Sequence, residues 1–317
     1  MRKEIFFAIL AGSILGLIIA FGVWRANIAL SNRTNGNSSA SQTPSPKPES
    51  SITLASPEDG AVITQNTVKI SGLTKPNSQV VISTENADYI VKTEAGGAFE
   101  SEIELTAGVN QLVISAFSEN RESVSINLVL VYSSEFAKAI NTPSPTPASE
   151  SSSATDSIRE RVQQKVDEVL KKPKAFIGTI TDISENTLQI KTATGEIKQS
   201  STTPDTVFVN SVKTAKEVKL ADLAIGDFVV AMGLKNGNEV LEAKRVLITS
   251  PVLEPKIKVS MGDGSEVTTA KNTLVFLFGD NKMTKTKTAN LKDESRIIYV
   301  TDEVDGKTSV RTVFILE

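Results

Sequence analysis

Glu100, Glu102 and Glu104 alternate with Phe99, Ser101, Ile103 and Leu105 in the stretch AFESEIEL. On an extended strand, side chains two apart point the same way, so the three acids share one face. Clustered carboxylates can hold a hard cation or receive a basic partner. They are equally the polar side of a half-exposed strand, and no calcium-loop spacing accompanies them. Lys282, Lys285 and Lys287 in NKMTKTKT are the cationic counterpart, readable as a patch for an anionic polymer or as the lysine-guarded edge of a sheet. Gly262-Asp263-Gly264 supplies a G-x-G without a third glycine, which predicts a hairpin turn rather than a phosphate loop.

What is missing narrows the chemistry further. The 317 residues include neither Cys nor His. Disulfides, thiolate nucleophiles, His-based triads and His/Cys zinc sets are therefore out of reach. No S-x-x-K, G-x-S-x-G or Walker A pattern occurs. Two acids facing each other across a cleft at about 5–9.5 Å would be the remaining route to a hydrolase. The expectation is no enzyme: no catalytic residue, no cofactor and no metal.

The elements that would carry surfaces instead of a reaction centre begin at the amino terminus. Ile5 to Val23 is free of charge, follows Arg2 and Lys3, and ends at Trp24-Arg25. As a helix it spans roughly 28 Å, close to a bilayer core, with an interfacial aromatic and a snorkelling cation behind it. Residues 1–30 are thus expected to be a single-pass anchor with the amino terminus cytoplasmic and the bulk outside. Cleavage as a signal peptide at Ala20-Phe21-Gly22 is the alternative. Gly12 and Gly16, flanked by Ala8 and Ala20, form a small-xxx-small ridge suited to self-association, although small residues are common in membrane helices generally.

Two Ser/Thr/Pro-rich segments, 31–51 and 136–155, each contain Thr-Pro-Ser-Pro and too few aliphatic residues to fold. They are expected to be extended linkers, flanking a folded unit and lifting it from the membrane. That unit, 52–135, shows seven short strand signals with Pro57-Glu58-Asp59-Gly60 and Gly96-Gly97 as turns, the pattern of a β-sandwich. Val68, Ile70, Val80, Ile82, Phe99, Ile103, Leu105, Leu112, Ile114, Ile126 and Leu128 are its expected interior. Ser51 to Glu135 holds eleven acids against four bases, which opposes nucleic acid as a partner.

SPEDGAVITQNTVKISGLTKPNSQVVI and GGAFESEIELTAGVNQLVISAFSEN resemble the bacterial Ig-like domains of the glucodextranase domain-B type. The resemblance spans nearly the whole unit. It implies an Ig-like sandwich acting as an accessory spacer or recognition module.

Residues 156–172 carry Ile158, Val162, Val166, Val169 and Leu170 on one helical face, ended by Pro173. From Ala175 the period returns to two, in two copies 67–69 residues apart, 173–250 and 251–317. DTVFV at Asp205 matches NTLVF at Asn272, and Asn236-Gly237 matches Asp305-Gly306, each a tight hairpin signal. Gly178, Ile180, Ile183, Leu188, Ile190, Leu223, Gly226-Asp227, Val229, Gly233, Leu241 and Ala243 resemble a domain family of unknown function found in exported bacterial proteins. That resemblance implies a small barrel without a known activity. In the second copy Gly226-Asp227 becomes Glu294-Ser295 and Gly233 becomes Thr301. The copies, each short of aromatics, are expected to pack against one another under the 158–170 helix.

The expected fold is therefore mainly β: an amino-terminal transmembrane helix, an Ig-like sandwich, a short helix and two tandem barrel-like units. The expected role is a structural or interaction protein of the bacterial cell envelope. A cell-surface polysaccharide binder is the alternative, which a clustered, exposed pair among Tyr89, Tyr132 and Tyr299 would favour.

Overall fold

Short apolar runs between turn residues yield strands along the whole chain, and the fold is mainly β. The computed structural model describes residues 51–140, 172–252, 256–304 and 306–317. Ile5–Val23 with Gly12 and Gly16, the linker residues 31–50, and the expected helix at 158–170 all lie outside the described residues. Among the described residues no helix is long and apolar enough to cross a membrane.

All seven strands expected between residues 52 and 132 form, with an eighth added: β1 (Thr53–Ser56), β2 (Ala61–Ile63), β3 (Thr67–Leu73), β4 (Gln79–Ser83), β5 (Asp88–Lys92), β6 (Ala98–Glu104), β7 (Gly108–Phe117) and β8 (Ser123–Tyr132). β1, β3 and β6 make one sheet, and β5, β4, β7, β8 and β2 follow in that order in the other. Between them lie the eleven residues expected inside, with Val68 and Ile126 at the margin. The unit is a β-sandwich.

Its second sheet is covered on the outside as well. Strict alternation would leave Val81, Ile90, Phe117 and Val131 facing water, yet all four are buried. The continuous runs VVI, LVI and LVLV belong to strands covered on both faces. One outer cover starts with α1 (Ser134–Ile140), whose Phe136 is wholly buried against Val62, Val131, Val230 and Met232. The expected linker therefore yields its first residues to this helix, because Phe136 has an apolar seat to fill.

The first copy contains β9 (Pro173–Ser184), β10 (Thr187–Lys191), β11 (Ile197–Ser201), β12 (Val207–Asn210), β13 (Lys216–Val218), β14 (Phe228–Lys235) and β15 (Leu241–Ile248). The pairings β9–β10, β10–β11, β11–β15, β15–β14 and β14–β9 close a ring, and β12–β13 extends from β15. Leu188, Ile190, Val229, Ala231, Ala243 and Val246 fill it. Closure explains two glycines. A Cβ at Gly178 would meet the Lys191 carbonyl oxygen at 2.1 Å, and one at Gly233 would meet that of Glu242 at 1.9 Å. Asn236-Gly237 opens a five-residue connection rather than a two-residue turn, because the Asn236 side chain accepts bonds from Asn238 N and Val240 N.

The second copy contains β16 (Lys258–Asp263), β17 (Leu274–Gly279), β18 (Lys282–Thr286), β19 (Arg296–Val304) and β20 (Lys307–Leu316). It is not a barrel but an open sheet ordered β16-β19-β20-β17-β18. The reason is a missing hairpin: between β16 and β17 nothing corresponds to β10–β11. Gly262-Asp263-Gly264 accordingly ends β16 and enters a 3-10 turn at Gly264–Glu266, where a hairpin turn was expected.

The rest of the duplication is retained to the hydrogen bond. Thr206 Oγ1 donates to the Ala243 carbonyl at 2.7 Å, and Thr273 Oγ1, 67 positions later, donates to that of Val310 at 2.8 Å. Both hydroxyls also accept a backbone N–H three residues earlier, from Thr203 and from Ala270. Asp227 and Ser295 are likewise equivalent, each accepting a bond from the amide three residues before it. Gly226-Asp227 is thus a turn device, as expected. Among the described residues no hydrophobic cluster joins the two copies. Each packs on the sandwich instead, contrary to the expected copy-on-copy contact.

Candidate functional site

Two junctions form where the copies meet the outer face of β4, β5, β7 and β8. At the carboxy-terminal junction Val81, Ile90 and Phe117 pack against Phe278, Ile298, Val300 and Phe314. Arg311 on β20 reaches into the β4–β5 hairpin and grips Asp88 with two nitrogens, Nε at 3.0 Å and Nη2 at 2.5 Å. It also donates to the carbonyls of Thr84 and Glu85. The Asp88 side chain is only 1 % exposed, so this carboxylate depends on that fork. Arg121 to Asp263 at 2.7 Å, Arg296 to the Glu119 carbonyl, and the Lys92 amide N–H to Asn281 Oδ1 complete the seam. These contacts are structural.

The junction with the barrel is joined by backbone pairing of β2 with β9 at Ala61 and Lys174, and beside it lies a cleft of about 670 Å³. Val109 and Gln111 of β7 and Val129 of β8 form one side, and Ile177, Thr179 and Phe228 of β9 and β14 form the other. Lys191, Thr192, Thr194 and Glu196, around the β10–β11 turn, stand at its mouth. Lys174 Nζ holds Glu58 at 2.7 Å and donates to the Asp59 carbonyl at 2.9 Å, tying β9 to the β1–β2 turn. Lys198 pairs with Glu196 at 2.6 Å, and its ammonium lies 6.0 Å from the Phe176 ring centroid. Lys235 pairs with Glu239. The hydrogen bond from Lys174, followed by its charge, holds the Glu58 carboxyl below its ordinary range. Lys235 does the same for Glu239. The acids lining the cleft have structural partners: Asp59 Oδ1 accepts the Val129 amide at 2.9 Å, and Glu196 has Lys198.

The residues expected to do chemistry are not gathered there. Glu100, Glu102 and Glu104 all face solvent on β6, with Lys69 2.8 Å from Glu100 and its ammonium pKa raised by that hydrogen bond. No metal-ligating group of three or more is present among the described residues. Lys282 and Lys285 lie on β18, the exposed edge strand, and Lys287 follows it. Tyr89 and Tyr132 pack on the sandwich core and Tyr299 on the inner cluster of the second copy, so they form no exposed pair. Tyr89 is further occupied by accepting the Glu104 amide at its hydroxyl. The cleft residues went unnoticed in sequence because they come from three separate strand pairs. The two-sided burial that creates the junction was written in the run LVLV.

No protein-family model matches the chain, and no curated protein matches it either. Among solved structures, a carbohydrate acetylesterase from Xanthomonas citri aligns at TM-score 0.20 and 18% identity, over 24% of this chain and 17% of that one. The chain thus spans about a sixth of the esterase's length. SGBP-B of a Bacteroides ovatus mixed-linkage glucan utilization locus, solved with a mixed-linkage heptasaccharide, aligns at TM-score 0.21 and 11% identity, over 84% of this chain and 70% of that one. Likenesses this slight carry no inference about this chain.

Proposed function

We propose that the chain is a non-enzymatic interaction protein of the bacterial cell envelope, anchored by residues 1–30 and presenting its β units outside the cytoplasm. The observation that carries this reading is the sheet of β4, β5, β7 and β8, buried on both faces. Three β units sharing one sheet make a stiff body, which suits a spacer or a platform for partners better than beads on a string. The acids that line the cleft are engaged in holding the fold, which fits a surface role rather than hydrolysis. Within this reading the sandwich is a bacterial Ig-like domain of the glucodextranase domain-B type. The barrel belongs to the family of unknown function found in exported proteins, and Gly12 and Gly16 pair helices in the membrane.

The test is fractionation and external proteolysis of cells expressing the full chain. The reading expects the protein in the membrane fraction, with the sandwich cut from outside once the wall is opened. Recovery of the intact chain in the soluble fraction would overturn it.

A further inference from the structure

The cleft between β7–β8 and β9–β14 has room, a lining and an opening that nothing in the proposed role uses. Its volume of about 670 Å³ falls within the roughly 300–1,000 Å³ of small-molecule sites. What could occupy it follows from what its walls offer.

Backbone recognition is confined to short stretches. β7 is paired with β4 and β8, and β14 with β9 and β15, whereas β8 pairs with β2 only at Leu130–Tyr132 and β9 with β10 only from Thr179 to Ser184. An extended peptide would have only the remaining stretches of β8 and β9 to add to. A strongly acidic polymer fares little better. Lys174, Lys198 and Lys235 already hold Glu58, Glu196 and Glu239, which leaves Lys191 as the lining lysine with no ion pair among the described residues. The side chains that line the cleft are of two kinds. Val109, Val129, Ile177 and the half-buried Phe228 present apolar surface, while Gln111 and Thr179 present an amide and a hydroxyl, joined at the β10–β11 turn by the hydroxyls of Thr192 and Thr194, which bond to one another at 2.8 Å and keep further acceptor capacity. A sugar ring matches both, with a C–H face to lie on an aromatic or aliphatic wall and hydroxyls to exchange hydrogen bonds.

We propose that this cleft binds a segment of a neutral glycan, with Phe228 as the stacking surface and Gln111, Thr179, Thr192 and Thr194 as the hydrogen-bonding groups. The proposal goes beyond the anchored-scaffold reading and stands apart from it, since binding can be measured wherever the protein resides.

The experiment is calorimetric titration of the full chain in lipid nanodiscs with neutral oligosaccharides: cellohexaose, laminarihexaose, maltohexaose, xylohexaose and a mixed-linkage glucan oligosaccharide. Polyglutamate and hyaluronan serve as acidic probes. At least one neutral sugar is expected to bind, and Phe228→Ala should weaken it about tenfold. Because Phe228→Ala also removes packing, Thr194→Trp is the second variant. It sits in an exposed turn, fills the mouth of the cleft, and should weaken binding equally, while Lys285→Ala on the distant β18 should change nothing. Failure of every neutral sugar to bind, tighter binding of an acidic probe, or binding unmoved by both cleft variants would each overturn the proposal.

Discussion

The barrel and the carboxy-terminal sheet start from one design and end in different places. Both keep the threonine that pins a parallel strand pair, the hydroxyl or carboxylate that caps the preceding turn, and the hairpin that follows. The barrel closes through β10–β11 and uses glycine where strands cross tightly. The sheet lacks that hairpin, puts Tyr299 where the barrel has Ala231, and accepts Thr301 in place of Gly233. Having no ring of its own, it finishes its core on the sandwich and locks there with Arg311. A small β unit without metal or disulfide can therefore be completed by closure or by docking.

The strongest test of that difference exchanges equivalent positions. Arg311→Ala should destabilise the protein by about 3–5 kcal/mol, because it strands the buried Asp88 carboxylate. Lys244 is the same position in the barrel, but its partner Glu242 is 47 % exposed. Lys244→Ala should therefore change stability by only about 0–1 kcal/mol. Chemical denaturation of the two variants side by side gives both numbers, and equal losses would erase the distinction. Gly233→Thr comes next. It gives the barrel the residue that the open sheet tolerates and should cost about 1–3 kcal/mol or more, since its Cβ meets the Glu242 carbonyl. The reverse change, Thr301→Gly, should cost no more than about 1 kcal/mol.

A smaller effect sharpens the shared part. Thr206→Val and Thr273→Val each remove a matched pair of hydrogen bonds, one donated and one accepted, and should lower stability alike, by about 1–2 kcal/mol. Unequal losses in equilibrium unfolding would show that the two threonines do different jobs. The smallest effect concerns acid. The folded pKa of Glu58 lies below its ordinary value, so its bond to Lys174 stabilises the barrel junction at neutral pH and is lost as pH falls through that lowered value. Melting temperature against pH should show a shallow decline there in the native chain that Glu58→Gln lacks. Its size stays modest because Glu58 is more than half exposed.

Much of this architecture was legible in the residues. The eleven interior positions of the sandwich followed from period two, and the duplication followed from matched spacing. The open form of the second copy was legible too, in the exchange of Gly233 for Thr301, but only to a reader who knows that the glycine serves closure. β2 escaped because three residues in AVI carry no period. The docking was hidden for a different reason. Alternation identifies one buried face, whereas Val81, Phe117 and Val131 are buried by partners distant in sequence, and only the unbroken apolar runs hint at them. The cleft is a product of that docking, so no local pattern could announce it.

The central claim is that one sheet, covered on both faces, makes the three β units a single body. Hydrogen exchange read by mass spectrometry on the full chain, with and without Phe117→Ala, tests it most directly. Phe117 is 2 % exposed and lies in the cluster shared by the sandwich and the carboxy-terminal sheet. Its truncation should accelerate exchange together in β4 and β7 and in β19 and β20, because both sides lose the same contact. Acceleration confined to β4 and β7, with β19 and β20 protected as in the native chain, would contradict the account.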